Sequence, residues 1–343
     1  MSADPDHPLP MPVPASASIP RRQVLHLGLL LGLSGLTGCA RGSSPTLMAA
    51  PETLPLRWRR QLAKPWRFLP LESSQQMDGV VPSQADLLAL PDGWVSSLEG
   101  DALQALDAPS LHQRLSPQAL AFLERFAPEQ AAALLPVSVS PWVMVCRGHQ
   151  LVQRAVIDGW SMLLSSDLAG QVVLPASPRL LLSLAERMEE PNALPRLRAS
   201  ARVFDDRHAL NWLLQGKASV AVLPLVRCMA TLRSDPRVQA VLPDQGAPLH
   251  WTLLMRPAHT REPLPQAWVE KAWTAPLLGQ LLAEAWRPPL PAEELAQVRE
   301  FVPARLRPLV LPSEAIWQRC WSLAPLSDQE RRSLNARWSA STP

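Results

Sequence analysis

The chain has 343 residues, of which 47% are hydrophobic, and 33 Lys and Arg oppose 30 Asp and Glu for a net charge of +3. That supports a sizeable core and excludes an intrinsically disordered or strongly basic protein; the densest basic cluster, Arg57, Arg59 and Arg60, reads as a solvated face, so no nucleic-acid partner is expected. The 4 Cys show no Cys-x-x-Cys and no metal-ligand spacing, so neither metal nor cofactor is expected, and with 13 Trp and no Tyr any ring stacking must come from Trp or Phe.

Residues 1–20 are rich in Pro, Ser and Ala and carry no periodicity, as in a disordered leader. Arg21-Arg22 then precede an apolar run that reaches Leu36, about 13 residues, where a membrane-spanning helix needs roughly 20. The run suits the core of a signal peptide behind a positive start. It ends in Leu36-Thr37-Gly38-Cys39, which resembles the lipobox of bacterial lipoproteins. By that resemblance residues 1–38 are removed and Cys39 is lipidated, which ties the chain to a membrane in the cell envelope or periplasm. Arg21-Arg22-Gln23-Val24-Leu25 also resembles a twin-arginine export signal, although Pro20 stands where that motif usually has Ser or Thr. An ordinary leader with two adjacent charges is the other reading.

Residues 39–55 read as a tether of Gly, Ser, Pro and Ala. Beyond them short apolar runs alternate with helical patterns. Asp86–Leu90 reads as a strand, and Pro91-Asp92-Gly93-Trp94 as a turn. Ser116-Pro117 opens a helix with Leu120, Phe122, Leu123 and Phe126 on its apolar face. Val143–Cys146 and Gln171–Leu174 are continuous apolar runs, as buried strands are. Ser177-Pro178 opens a second helix toward Met188. Strands follow at Ser219–Leu223, Val238–Leu242 and His250–Met255, then helix over 266–286 and again beyond Pro312. The alternation predicts an α/β protein with mostly parallel sheets. Cys146, Cys228 and Cys320 are expected as buried thiols, although an oxidising compartment would allow one disulfide.

The order of these segments resembles the spermidine/putrescine-binding family of ABC-transporter solute-binding proteins. The resemblance is carried by Asp158–Leu184, with Trp160, the Asp167–Gly170 turn, a strand and the Ser177-Pro178 helix. Gly216–Val222, Val241–Trp251 with its Pro243-Asp244-Gln245-Gly246 loop, and Trp268–Pro291 continue it. It implies a two-lobed periplasmic-binding-protein type II fold, with mixed sheets flanked by helices and hinge crossovers near Ser138–Trp142 and His250–Leu254. Lobe 1 would hold 56–139 and 255–343, and lobe 2 would hold 140–254. It also implies a lipid-anchored, monomeric subunit of an ABC importer, with a permease as partner and a small polar or cationic, polyamine-like solute held between the lobes.

The expected ligand-binding residues are Trp94, Ser138, Ser140, Trp142, Ser177, Arg179, His250, Trp251, Thr252 and Trp286. Positions where the family carries acids fall on Ser177, Leu180 and Thr252, so a non-transporting envelope lipoprotein or sensor with a degenerate site is the alternative. Arg179 stands in the first turn of its helix, where a cation opposes the dipole and calls for an acid or an anionic ligand. No enzyme is expected: Gly-x-Ser-x-Gly does not occur, and the polar cluster Asp205, Asp206 and His208 reads as helix-start capping.

Overall fold

A computed structural model describes residues 44–50, 52–71, 81–98, 101–205, 207–323 and 325–342. The expected leader, the lipidation site Cys39 and Asp206 lie outside the described residues.

Eleven strands are described: β1 (Thr46–Ala49), β2 (Arg67–Pro70), β3 (Leu87–Pro91), β4 (Leu103–Gln104), β5 (Leu134–Arg147), β6 (Val172–Leu174), β7 (Ala201–Phe204), β8 (Val220–Pro224), β9 (Val238–Val241), β10 (Pro248–Pro257) and β11 (Trp321–Ser322). They join in the order β2-β1-β3-β10-β5-β8-β6-β7, with β4 and β11 on β10 and β9 on β5. β1 pairs parallel with β2 and β3, and β6 pairs parallel with β7 and β8. The central strands β10 and β5 run antiparallel to each other and to β3 and β8. Parallel flanks therefore meet across an antiparallel centre, which makes the sheet mixed. β3, β6 and β8 are Val/Leu-rich and almost wholly buried, as strands covered on both faces must be.

β5 changes partners partway. Leu134 to Pro141 pair with β10, whereas Trp142 to Arg147 pair with β8 and β9. The chain thus passes from one group of strands to the other inside a single strand. The crossovers expected near Ser138–Trp142 and His250–Leu254 lie side by side here, with Thr252 opposite Ser138 and His250 opposite Ser140. The register slips between Thr252 and Leu253, a bulge of the kind that turns a strand locally.

Several expectations change. Residues 46–49, read as tether, form the buried strand β1, whose four residues are too few to show a period. The helix expected over 266–286 is two helices, Gln266–Ala272 and Leu277–Ala283, because Pro276 between them has no N–H to continue the first. The Ser116 helix runs Pro117–Leu123, with the Ser116 hydroxyl accepting from the Ala119 N–H at 3.4 Å. Leu120 is 42% exposed and does not join its buried face. Cys146, Cys228 and Cys320 are free, buried thiols, pushed up to about 12, 12 and 11 by burial.

Indole rings supply the stacking that tyrosine cannot. Trp58 and Trp268 stack at 4.0 Å, and each indole N–H donates to the other residue's carbonyl, at 3.0 and 3.1 Å. The Pro243–Gly246 loop is pinned by Trp160, whose Nε1 donates to the Gly246 carbonyl at 2.8 Å. Gly246 has φ +80, and a Cβ there would meet the Arg319 carbonyl oxygen at 2.3 Å. Gly246→Ala should therefore lower the unfolding free energy by about 2 kcal/mol or more in urea titrations, and an unchanged midpoint would contradict this packing.

Candidate functional site

Where the two groups of strands meet, the chain encloses a cleft of about 960 Å³. β3 delivers Pro91 to one wall, and the following 3₁₀ turn, Asp92–Ser97, adds Asp92 and Trp94. β10 adds Leu249, His250 and Thr252. The facing wall is built by the first turns of two helices: Ser177, Pro178 and Arg179 from Pro178–Arg187, and Val226 and Arg227 from Leu225–Ser234. Arg207 and His208 stand beside them. The C-terminal helix, Asp328–Ala340, completes the mouth with Arg331, Leu334 and Asn335.

Seven expected site residues line this cleft: Trp94, Trp142, Ser177, Arg179, His250, Thr252 and Trp286. Three do not. Trp251 is wholly buried behind the wall, because alternation along β10 sends His250 and Thr252 to the cleft and the residue between them to the core. Its ring stacks on Phe122 at 4.6 Å, and its Nε1 donates to the Ser322 hydroxyl at 2.9 Å. Ser140 is buried, and its hydroxyl accepts from the Val226 N–H at 3.0 Å, so it holds a helix start rather than a solute. Ser138 is buried as well; the segment through Arg287 bridges β5 at Val139, and Trp286 supplies the wall there.

Sequence reading passed over Asp92, Glu52, Arg207, Arg227 and Arg331, which also line the cleft. Asp92 sits in Pro91-Asp92-Gly93-Trp94, which reads as plain turn chemistry. Its buried carboxylate accepts from the Trp251 N–H at 3.1 Å. Burial pushes it up to about 6, against the pull of Arg179 and of that N–H. Burial pulls Arg179 down in turn, while Asp92 holds it up. His250 is half-buried and meets the edge of Trp142 at 6.1 Å. Burial first, and then Arg227, push it down to about 4, so it is neutral at pH 7. Glu52 lies 3.4 Å from Arg227. Asp205 accepts from the N–H groups of Arg207 and His208 and from Trp212 Nε1, so it braces the turn before a helix.

The C-terminal helix ties both sides of the mouth together. Arg331 donates to the Ser96 carbonyl at 3.0 Å on one side, and Arg337 pairs with Glu186 at 2.7 Å on the other. Trp338 lies under the Arg198 guanidinium at 4.1 Å.

This architecture, with mixed sheets flanked by helices and paired crossover strands beside a cleft, is the two-lobed type II fold of periplasmic binding proteins. Solved structures with the same fold include the spermidine/putrescine ABC transporter substrate-binding protein PotD of Streptococcus pneumoniae, at TM-score 0.66 and 12% identity over 87% of this chain and 98% of that one. The TpPotD lipoprotein of Treponema pallidum matches at TM-score 0.65 and 14% identity, over 87% and 99% of the two chains. A ferric binding protein of Campylobacter jejuni matches at 0.58 and 10%, again over 87% and 99%. No protein-family model matches, and no curated protein matches by sequence. Among the described residues no helix is long and apolar enough to cross a membrane.

Proposed function

We propose that this protein is the solute-binding subunit of an ABC importer, exported and tethered to the cell envelope through acylated Cys39, and working as a monomer with a membrane permease. The observation that carries the reading is the cleft itself. It lies beside two adjacent crossover strands, is walled by indoles and polar side chains, and has the volume of small-molecule sites, roughly 300–1,000 Å³. Lobes of 56–139 with 255–343, and of 140–254, would close about β5 and β10. The similar structures named for spermidine and putrescine, one of them called a lipoprotein, support a small polar solute and an acyl anchor.

The test is made in cells. Cross-linking the full chain should capture a permease subunit, and radiolabelled palmitate should enter the native chain but not Cys39→Ser, which should leave the membrane fraction. A chain that keeps its leader and stays in the cytosol would defeat the reading. Acylation without any permease cross-link would favour a non-transporting envelope protein.

A further inference from the structure

The charge around the cleft runs opposite to what a polyamine needs. Holding a dication requires carboxylates against its ammonium groups. The carboxylates lining the cleft among the described residues are Asp92 and Glu52. Asp92, at about 6, is close to half-neutral in mildly acid solution, and Glu52 is 71% exposed and engaged with Arg227. Against them stand four guanidiniums, Arg179, Arg207, Arg227 and Arg331, the last of them paired with Asp328 at 3.3 Å on its own helix.

The helix geometry adds to the surplus. The helices Pro178–Arg187 and Leu225–Ser234 both start at the cleft, and neither carries an acid in its first turn. Acids there normally complement the positive end of a helix; here Arg179 and Arg227 occupy those turns instead. The Leu180 and Val226 N–H groups are already taken by the hydroxyls of Ser177 and Ser140. Recognition would therefore fall to guanidiniums, whose planar forks match the paired oxygens of a carboxylate or phosphate. Trp286 adds an indole to the cleft wall, packed against Trp58 at 4.8 Å.

Resting on the solute-binding reading, we propose that the cleft takes a small organic anion, a carboxylate or phosphate ester, with its charge among Arg179, Arg207, Arg227 and Arg331 and its body against Trp94, Trp142 and Trp286. The anion would add to the negative charge that Asp92 and Glu52 already supply beside the two helix starts. Arg331, held at the mouth by Ser96, brings the C-terminal helix into the site.

Thermal-shift and calorimetric titrations of the full-length chain in detergent, at low salt, decide the matter. The probes are succinate, citrate, glycerol 3-phosphate and inorganic phosphate, against putrescine and spermidine. At least one anion should raise the melting temperature, lose affinity as salt is added, and bind about tenfold or more weakly to Arg227→Gln and to Arg331→Gln. Arg227→Lys should keep part of the loss from appearing, and Arg60→Gln, outside the cleft, should change nothing. Arg331 lies on an exposed helix, so its variant separates binding from folding. A response to polyamines with none to the anions overturns the anion class and leaves the solute-binding reading intact. Anion binding that ignores both Arg variants overturns the site. Silence to every probe overturns the anion class, and the permease cross-link then judges the solute-binding reading by itself.

Discussion

Asp92→Asn should gain about 2 kcal/mol of stability relative to the native chain as pH rises from 4 to 6.5. Burial raises Asp92 from 3.8 to about 6. Between those values the folded chain holds a proton that the unfolded chain has released, so stability is full below 3.8 and is lost as pH climbs through 6. Asparagine is close in shape to the protonated acid and still accepts from the Trp251 N–H. It should match the native chain near pH 4 and then escape that loss. His250 works in the opposite direction in the same window. Its folded value of about 4 lies below the ordinary 6.5, so the unfolded chain binds the extra proton and stability rises with pH. Relative to the native chain, His250→Gln should fall by about 3 kcal/mol over the same range. In the native chain the two slopes largely cancel. Urea unfolding of the three proteins at pH 4, 5, 6 and 6.5 reads both difference curves, and difference curves without slope would refute the desolvation of these groups. The physical point is that a charged Asp92 is costly to the fold. Its place in the cleft wall, beside Arg179, is where the proposed binding role would have that cost retained at the expense of stability.

Strands and cleft were not equally legible in the sequence. β3, β6, β8 and the end of β5 could be read because strands buried on both faces are continuous apolar runs. Helix starts at Ser116-Pro117 and Ser177-Pro178 could be read because capping chemistry is local. β1 could not, since four residues show no period. Nor could the length of β5, where Pro136 and Pro141 interrupt what reads as a strand only from Val143. Cleft residues that follow from the segment order, such as Trp94, Ser177 and His250, were accessible by resemblance. Asp92, Arg227 and Arg331 were not. Each looks ordinary in its own segment, as turn residue, helix start and exposed helix face, and acquires meaning only when chain ends more than 200 residues apart close on one cavity. Ser138, Ser140 and Trp251 fall outside the cleft lining for the converse reason. They belong to crossover strands, but membership of a strand does not say which neighbour covers each face.

Trp251 puts that distinction to a quantitative test. Trp251→Ala should cost about 3–5 kcal/mol, the usual range for emptying a fully buried tryptophan site. The ring lost is 0% exposed and stacked on Phe122, and its removal also leaves the buried Ser322 hydroxyl without its indole donor. Trp251→Phe keeps a ring against Phe122 but not the N–H, so its cost should shrink to roughly the volume difference plus one hydrogen bond, about 1–2 kcal/mol. Urea titrations should show these as shifts in midpoint with an unchanged slope. Solute binding should respond the other way round. Trp251→Phe should leave the affinity of the folded protein within about twofold, because Trp251 does not line the cleft. Trp94→Ala, half-buried at the mouth, should weaken binding while changing stability by less than about 1 kcal/mol. If Trp251→Phe abolished binding without unfolding the chain, β10 would have to present its other face to the solute, and Asp92, held by the Trp251 backbone, could not stand where it does.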